Sequence, residues 1–170
     1  YNKNLLQKAG VSPESIVDLD SFVSAMDSIE QKTNAKGIGL VGADSNDVSW
    51  MVNQFVYGFG GRLVDSTGKK VLINSAESAA AIDFYKNVLG AHAQSSWLND
   101  TGTEVMEHFL NQEVAFEIQG IWGLTDVQKN GSAFDVGVMP LKQIGICSEI
   151  GPMMLAIPQN MRDDAKQQAQ

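Results

Sequence analysis

The chain has 170 residues, 44% of them hydrophobic and 19% charged, which fits one globular domain able to bury its own core. Its 12 basic and 20 acidic side chains give a net charge of -8, which excludes a nucleic-acid backbone or an anionic membrane as the main partner. A single cysteine, Cys147, excludes an intrachain disulfide and a thiolate metal cluster, and reads as a small buried residue.

Ser12-Pro13-Glu14 is a helix-start signal. Residues 18–33 then place Phe22, Ala25, Met26 and Ile29 on one helical face. Residues 38–41 form an apolar strand, and 42–47 a polar loop. A second helix over 48–57 is stopped by Gly58, Gly60 and Gly61. Two short strands, 62–65 and 70–73, flank a turn at 65–68. Asn74 with Glu77 caps a helix over 76–89 whose apolar face carries Ala81, Ile82, Tyr85, Val88 and Leu89. Thr101 with Glu104 makes a capping box for a helix carrying Val105, Met106, Phe109 and Leu110. Three runs of strand length follow, 114–118, 134–139 and 153–157, with a helix over 121–129 between the first two. Strands alternate with helices throughout, so the expected class is α/β with a central mixed sheet flanked by helices.

The chain begins at Tyr1 without Met and stops in residues 162–170, which read as a helix just beginning. It is therefore expected to be an internal fragment, and the absence of a leader or a membrane run carries no weight.

Gly37, Gly39 and Gly42 match the dinucleotide pattern of three spaced glycines. That pattern needs a strand before it and a helix opening within it, whereas here the strand lies inside the motif. A glycine-flanked strand is the expectation. His108 lies near Glu104 and Glu107, but the only other histidine, His92, falls in a separate loop. A solvated helix face is expected, with no metal site and no cofactor. Glu113 and Glu117 share a strand face, yet an acidic chain offers many such pairs, and no nucleophile elbow is present. No catalytic residue is assigned.

Gln119-Gly120-Ile121-Trp122-Gly123 sits where a strand ends and a helix begins. Ligands of α/β layers collect beyond the carboxyl ends of strands. Gly120 admits close approach of a ligand to the backbone, and a tryptophan offers a flat face to the C–H surface of a sugar. Position alone leaves two readings of Trp122 open, ligand contact and core packing.

The order of segments resembles the C-terminal lobe of the family 1 extracellular solute-binding proteins of bacterial ABC importers, a periplasmic-binding-protein-like lobe of type II. The resemblance rests on Tyr1-Asn2-Lys3, Pro13-Glu14-Ser15-Ile16, Gly60-Gly61-Arg62 and Asn74-Ser75-Ala76-Glu77. It continues through the ungapped run from Phe109 to Gly120-Ile121-Trp122, then Asp135-Val136-Gly137-Val138-Met139-Pro140, then residues 151–158. Two positions depart from the family. Ile16 stands where tryptophan is frequent, and Gln112-Glu113 replaces a glycine-containing turn.

The resemblance implies that residues 1–170 form one lobe of a two-lobe protein that closes on its solute by a hinge. It implies ligand contacts at Trp122 and Gly120. Others are implied in the loop Ser45, Asn46 and Asp47, at Thr101 and Gly102 on a helix N-terminus, and at Gly151 and Met153. Trp50 is expected to pack. The implied partners are a sugar and the membrane subunits of a permease. The protein would work as a monomer outside the cytoplasm, in a periplasm or as a cell-surface lipoprotein. The alternatives are a cationic or other small solute, for which the acidic stretch 44–47 speaks, and a lobe of a carbohydrate-active enzyme.

Overall fold

The computed structural model describes residues 1–130 and 133–148. Helix α1 (Lys3–Ala9) begins at Asn2, whose side chain accepts from the Leu5 N–H, and ends at Gly10 in the left-handed conformation. Asn2 is fully buried. Its backbone N–H donates to the Ala115 carbonyl, and the residue pairs antiparallel with Val136.

Helix α2 (Leu19–Lys32) opens on Asp18, which forms a reciprocal capping box with Ser21, and it buries Phe22, Ala25, Met26 and Ile29. The start signal at Ser12-Pro13 instead forms a separate short turn, Pro13–Ser15. A three-residue link, 16–18, leads from it into α2, with Ile16 fully buried.

Strand β1 (Lys36–Gly39) pairs parallel with β2 (Val114–Glu117), setting Lys36 opposite Val114 and Ile38 opposite Phe116. Ala93 adds a parallel bridge to Ile38, and the Asn2–Val136 bridge is antiparallel. Among the described residues the sheet is thus a narrow parallel pair with single-residue bridges beside it. A Cβ on Gly37 would lie 2.5 Å from Met26, and one on Gly39 would lie 2.7 Å from Val105 Cγ1. These glycines bring helices against the strand, which is the physical reason for the spaced-glycine pattern.

Helix α3 (Ser45–Gly58) starts earlier than the sequence predicts, because Asp44 caps it by accepting from the Asn46 N–H. Residues 62–73 form a turn with one bridge, Val64 to Val71, rather than two strands. Helix α4 (Ala76–Asp83) is capped by Ser75 and Ser78, not by Asn74. It widens into a π-helical stretch, Phe84–Val88, and then a tight turn, Leu89–His92. Ile82, expected inward, is exposed, because the face that packs is led by Ala81, Tyr85 and Leu89.

Helix α5 (Gly102–Leu110) carries the expected Thr101–Glu104 capping box. Gln112 then holds a left-handed backbone, φ +61°, a conformation that glycine adopts more readily. Helix α6 (Leu124–Asn130) follows a short turn after β2. Among the described residues the run 134–139 makes a single bridge, at Val136, since Tyr1 and Asn2 pair with it over a short length. Residues 153–157 lie outside the described residues.

One apolar cluster gathers α1, α2, both strands, α3 and the α4 extension around Ile29, Ile38, Phe55 and Leu89. A smaller one joins Phe109, Val114 and Phe134. Cys147 is exposed, against the expectation of burial, because it follows Ile146 out of the larger cluster. Among the described residues no helix is long and apolar enough to cross a membrane.

Candidate functional site

Beyond Gly39 the chain leaves the sheet but stays tied down. The Gln94 amide accepts from the Leu40 N–H at 3.0 Å and donates to the Leu40 carbonyl at 2.7 Å, standing in for a neighbouring strand. Gln94 also donates to Asp100 Oδ2 at 2.9 Å. The Asp100 carbonyl in turn accepts from the Gly42 and Ala43 N–H groups at 3.0 and 2.9 Å. Asp100 therefore fixes the approach to α3. His108 joins the same network, with Nε2 3.3 Å from Asp100 Oδ2 and Nδ1 hydrogen-bonded to Glu113. It is half-buried between two carboxylates, not on a solvated face as expected.

The chain enters α3 through Asp44, whose φ is +66°. A non-glycine residue in this region is strained, and such strain clusters at functional sites. Ser45, Asn46 and Asp47 form the first turn of α3, not a loop as expected. Asn46 is exposed. Asp47 is half-buried, and its Oδ2 accepts from the Gly102 N–H at 2.9 Å. A Cβ on Gly102 would lie 2.9 Å from that oxygen. Asp47 thus joins the N-termini of α3 and α5, where a carboxylate is favoured by the orphan N–H groups of both helices. Thr101 is committed as well. Its hydroxyl accepts from the Thr103 N–H at 3.2 Å and is hydrogen-bonded to Glu104. That bonding holds the exposed Glu104 carboxyl below the ordinary carboxylate value.

Trp50 lies one turn beyond Asp47 on α3. Its ring meets Trp122 edge to face, centroids 5.3 Å apart and planes at 64°. Trp122 occupies the middle of the turn Ile121–Gly123 after β2 and is 60% exposed. Its ring lies over Gly120, where an added Cβ would come within 2.2 Å of it. Gly120 therefore seats the tryptophan. Ile121 and Val138 are exposed nearby, at 85% and 89%.

Behind the turn, Gln119 accepts from the Gly120 N–H at 2.8 Å and donates to Glu117 Oε1 at 3.1 Å. Burial pushes the Glu117 carboxyl up to about 7, against the partial relief of the Gln119 hydrogen bond. Both residues line an apolar cavity of about 390 Å³ walled by Phe22, Phe109, Phe116 and Ile118.

The structure thus brings Asp47, Gly102, Trp50 and Trp122 into one connected surface with Asn46, Thr101 and Gly120 beside it. The Ser45 side chain, Gly151 and Met153 lie outside the described residues. Sequence reasoning named Asp44, Glu117 and Gln119 but missed the cap, the burial and the paired hydrogen bonds that they supply, and it read Trp50 as packing without its partner Trp122. Asp44 carried a legible signal, an N-cap aspartate before a first turn containing Asp47. Gln119 carried none. Among the described residues no group of three or more His, Cys, Asp or Glu side chains is placed to hold a metal ion.

Residues 1–170 match the family described as bacterial extracellular solute-binding protein. The chain belongs to this family. Its fold is the mixed α/β, periplasmic-binding-protein-like one of that family's sugar-binding structures. The GacH receptor of Streptomyces glaucescens GLA.O, solved unliganded and with acarbose and an acarbose homolog, is 28% identical with a TM-score of 0.68. The match covers 82% of this chain and 36% of that one. Maltose-bound MalE3 of T. maritima is 26% identical, TM-score 0.62, with 69% of this chain and 30% of that chain covered. An ABC transporter solute-binding protein from Thermotoga lettingae TMO, bound with alpha-D-tagatose, shares the fold at 23% identity, TM-score 0.69, with coverage of 78% and 35%. The chain spans about a third of the length of these solved structures. No curated protein matches it.

Proposed function

We propose that this solute-binding chain is the C-terminal lobe of the substrate-recognition component of a bacterial ABC importer, and that it holds a sugar or oligosaccharide for delivery to a membrane permease. The observation that carries this reading is Trp122. A ring 60% exposed, seated on Gly120 and braced by Trp50, is an apolar platform fixed at the carboxyl end of a strand. Sugars present C–H faces to such a ring and hydroxyls to polar groups around it. Asn46 and Asp47 are the described polar side chains that meet those hydroxyls, with Ser45, Thr101, Gly102, Gly151 and Met153 completing this lobe's contribution. The acarbose complex of the GacH receptor and the maltose complex of MalE3 support a carbohydrate ligand.

Ile121 and Val138 beside the platform add exposed apolar surface of the kind that a partner surface covers. In this reading a second lobe of the same protein supplies it, and the two close on the ligand as a monomer outside the cytoplasm. The carboxylates Asp44 and Asp47 cap helices, which weakens the case for a cationic solute.

The test is calorimetry of the full-length protein with maltose, longer malto-oligosaccharides and monosaccharides, with chromatography of the same samples. Saturable binding without cleavage is expected. Cleavage of any of them would replace this reading with an enzymatic one, and heat on adding a polyamine but no sugar would favour a cationic solute. The chain by itself is expected to bind maltose far more weakly than the full-length protein, because only one wall is present.

A further inference from the structure

We infer that Gln119, anchored by Glu117, is a positioning residue that sets the pose of the Trp122 platform. The inference rests on the proposed sugar-binding reading only for its effect on affinity. Its geometry stands alone. The Gln119 side chain makes two hydrogen bonds of opposite polarity, accepting from the Gly120 N–H at 2.8 Å and donating to Glu117 Oε1 at 3.1 Å. Its aliphatic part fills the space beside Gly123, where an added Cβ would lie 2.4 Å from Gln119 Cγ. One side chain therefore touches Gly120, which opens the turn, and Gly123, which closes it just after Trp122. The turn closes on itself through the Gly123 N–H to the Gly120 carbonyl, 3.1 Å. Gly120 is also the seat of the Trp122 ring.

A peptide pinned at both ends of a three-residue turn has little freedom to tilt, so the ring it carries meets Trp50 at a fixed angle. Glu117 supplies the fixed point. It closes β2, paired through Gly39, and its only described hydrogen-bond donor is the Gln119 amide. Among the described residues, the charged group that faces it is Asp126, which opposes its ionised form. An ionised carboxylate is the stronger acceptor. The clamp therefore tightens as pH rises through about 7.

The test uses the exciton couplet of the two indoles in the circular dichroism spectrum of the full-length protein, with Trp122→Phe as the baseline. Gln119→Met keeps the length of the side chain and loses both hydrogen bonds. It is expected to shrink the couplet and weaken maltose binding about tenfold, the scale of one or two lost hydrogen bonds. Glu117→Gln, which still offers an acceptor, should keep the couplet and remove its pH dependence, whereas Glu117→Leu should shrink it. A Gln119→Met protein with an unchanged couplet overturns the inference, as does a Glu117→Leu protein that matches Glu117→Gln. If the parent protein binds no maltose, the sugar reading falls, and the couplet still decides the role of Gln119.

Discussion

Two tryptophans of this chain sit in nearly identical local settings and end up in opposite circumstances. Trp97 and Trp122 each lie in a short 3₁₀ turn, Trp97–Asn99 and Ile121–Gly123. Each ring rests on a glycine: a Cβ on Gly90 would lie 3.0 Å from the Trp97 ring, and one on Gly120 would lie 2.2 Å from that of Trp122. Each meets another aromatic ring at a steep angle, Trp97 against Tyr85 at 75° and Trp122 against Trp50 at 64°. Yet Trp97 is half-buried against the main core, while Trp122 is 60% exposed. The lesson is that a glycine seat and an aromatic brace fix a tryptophan without saying what it is fixed for. The elements around it decide. Trp97 lies under the α4 extension, whereas nothing described lies over Trp122.

The largest effect that would sharpen this contrast is on folding. Trp97→Ala should destabilise the protein by about 3 kcal/mol, near the lower end for a large aromatic because the ring is only half-buried. Denaturant titration measures it. A loss below about 1 kcal/mol would erase the distinction between the two corners.

Each corner carries a carboxyl: the buried Asp100 closes the Trp97 turn, and the half-buried Glu117 precedes the Trp122 turn. Glu117 has an ordinary value of 4.5 and is raised to about 7 by burial. Below 4.5 it is neutral both folded and unfolded and costs nothing. Between 4.5 and 7 the folded form holds the extra proton, so stability falls as pH rises. Above 7 the carboxyl is ionised in both forms, and the folded one bears the whole desolvation penalty. Glu117→Gln should therefore raise stability by on the order of 2 kcal/mol at pH 8, discounted for partial exposure, and change little at pH 4. Thermal melts of both proteins across that range test the sign.

For Trp122→Ala the expectation is the reverse of Trp97→Ala: a loss of about 1–3 kcal/mol in sugar affinity, on the scale of aromatic stacking, with little change in the melting temperature. Gly120→Ala should mimic the affinity loss, since its methyl group would displace the ring from its seat. Substitutions that unfold the protein and spare affinity would move Trp122 into the scaffold. The smallest effect is at Asp47. Asp47→Ala leaves the Gly102 N–H without its partner and should cost about 1 kcal/mol of stability, as a lost helix cap does.

Much of the scaffold was readable from residue order. The α2 face of Phe22, Ala25, Met26 and Ile29 follows from helical spacing, and the Thr101–Glu104 box from the chemistry of orphan N–H groups. The readings that failed share a cause. The run 134–139 has strand composition, but a strand exists only where a partner runs alongside, and among the described residues only the short segment Tyr1 to Lys3 does so. Residues 42–47 are polar and read as a loop, but the cap at Asp44 starts α3 at Ser45. His108 reads as solvated until Asp100 and Glu113 are folded onto it.

At the site, the sequence by itself determined that Trp122 follows a strand end and a glycine, and that Asp47 and Thr101 stand at helix starts. Those are statements about neighbours along the chain, where spacing and capping chemistry suffice. Only the tertiary structure decided that Gly120 seats the ring, that Trp50 braces it, that Asp47 links two helix N-termini 55 residues apart in sequence, and that Gln119 holds the turn from both ends. The Trp50 and Asp47 contacts depend on how the helices pack, and those of Gly120 and Gln119 on the backbone path of the turn over 119–123. No periodicity in the chain encodes them.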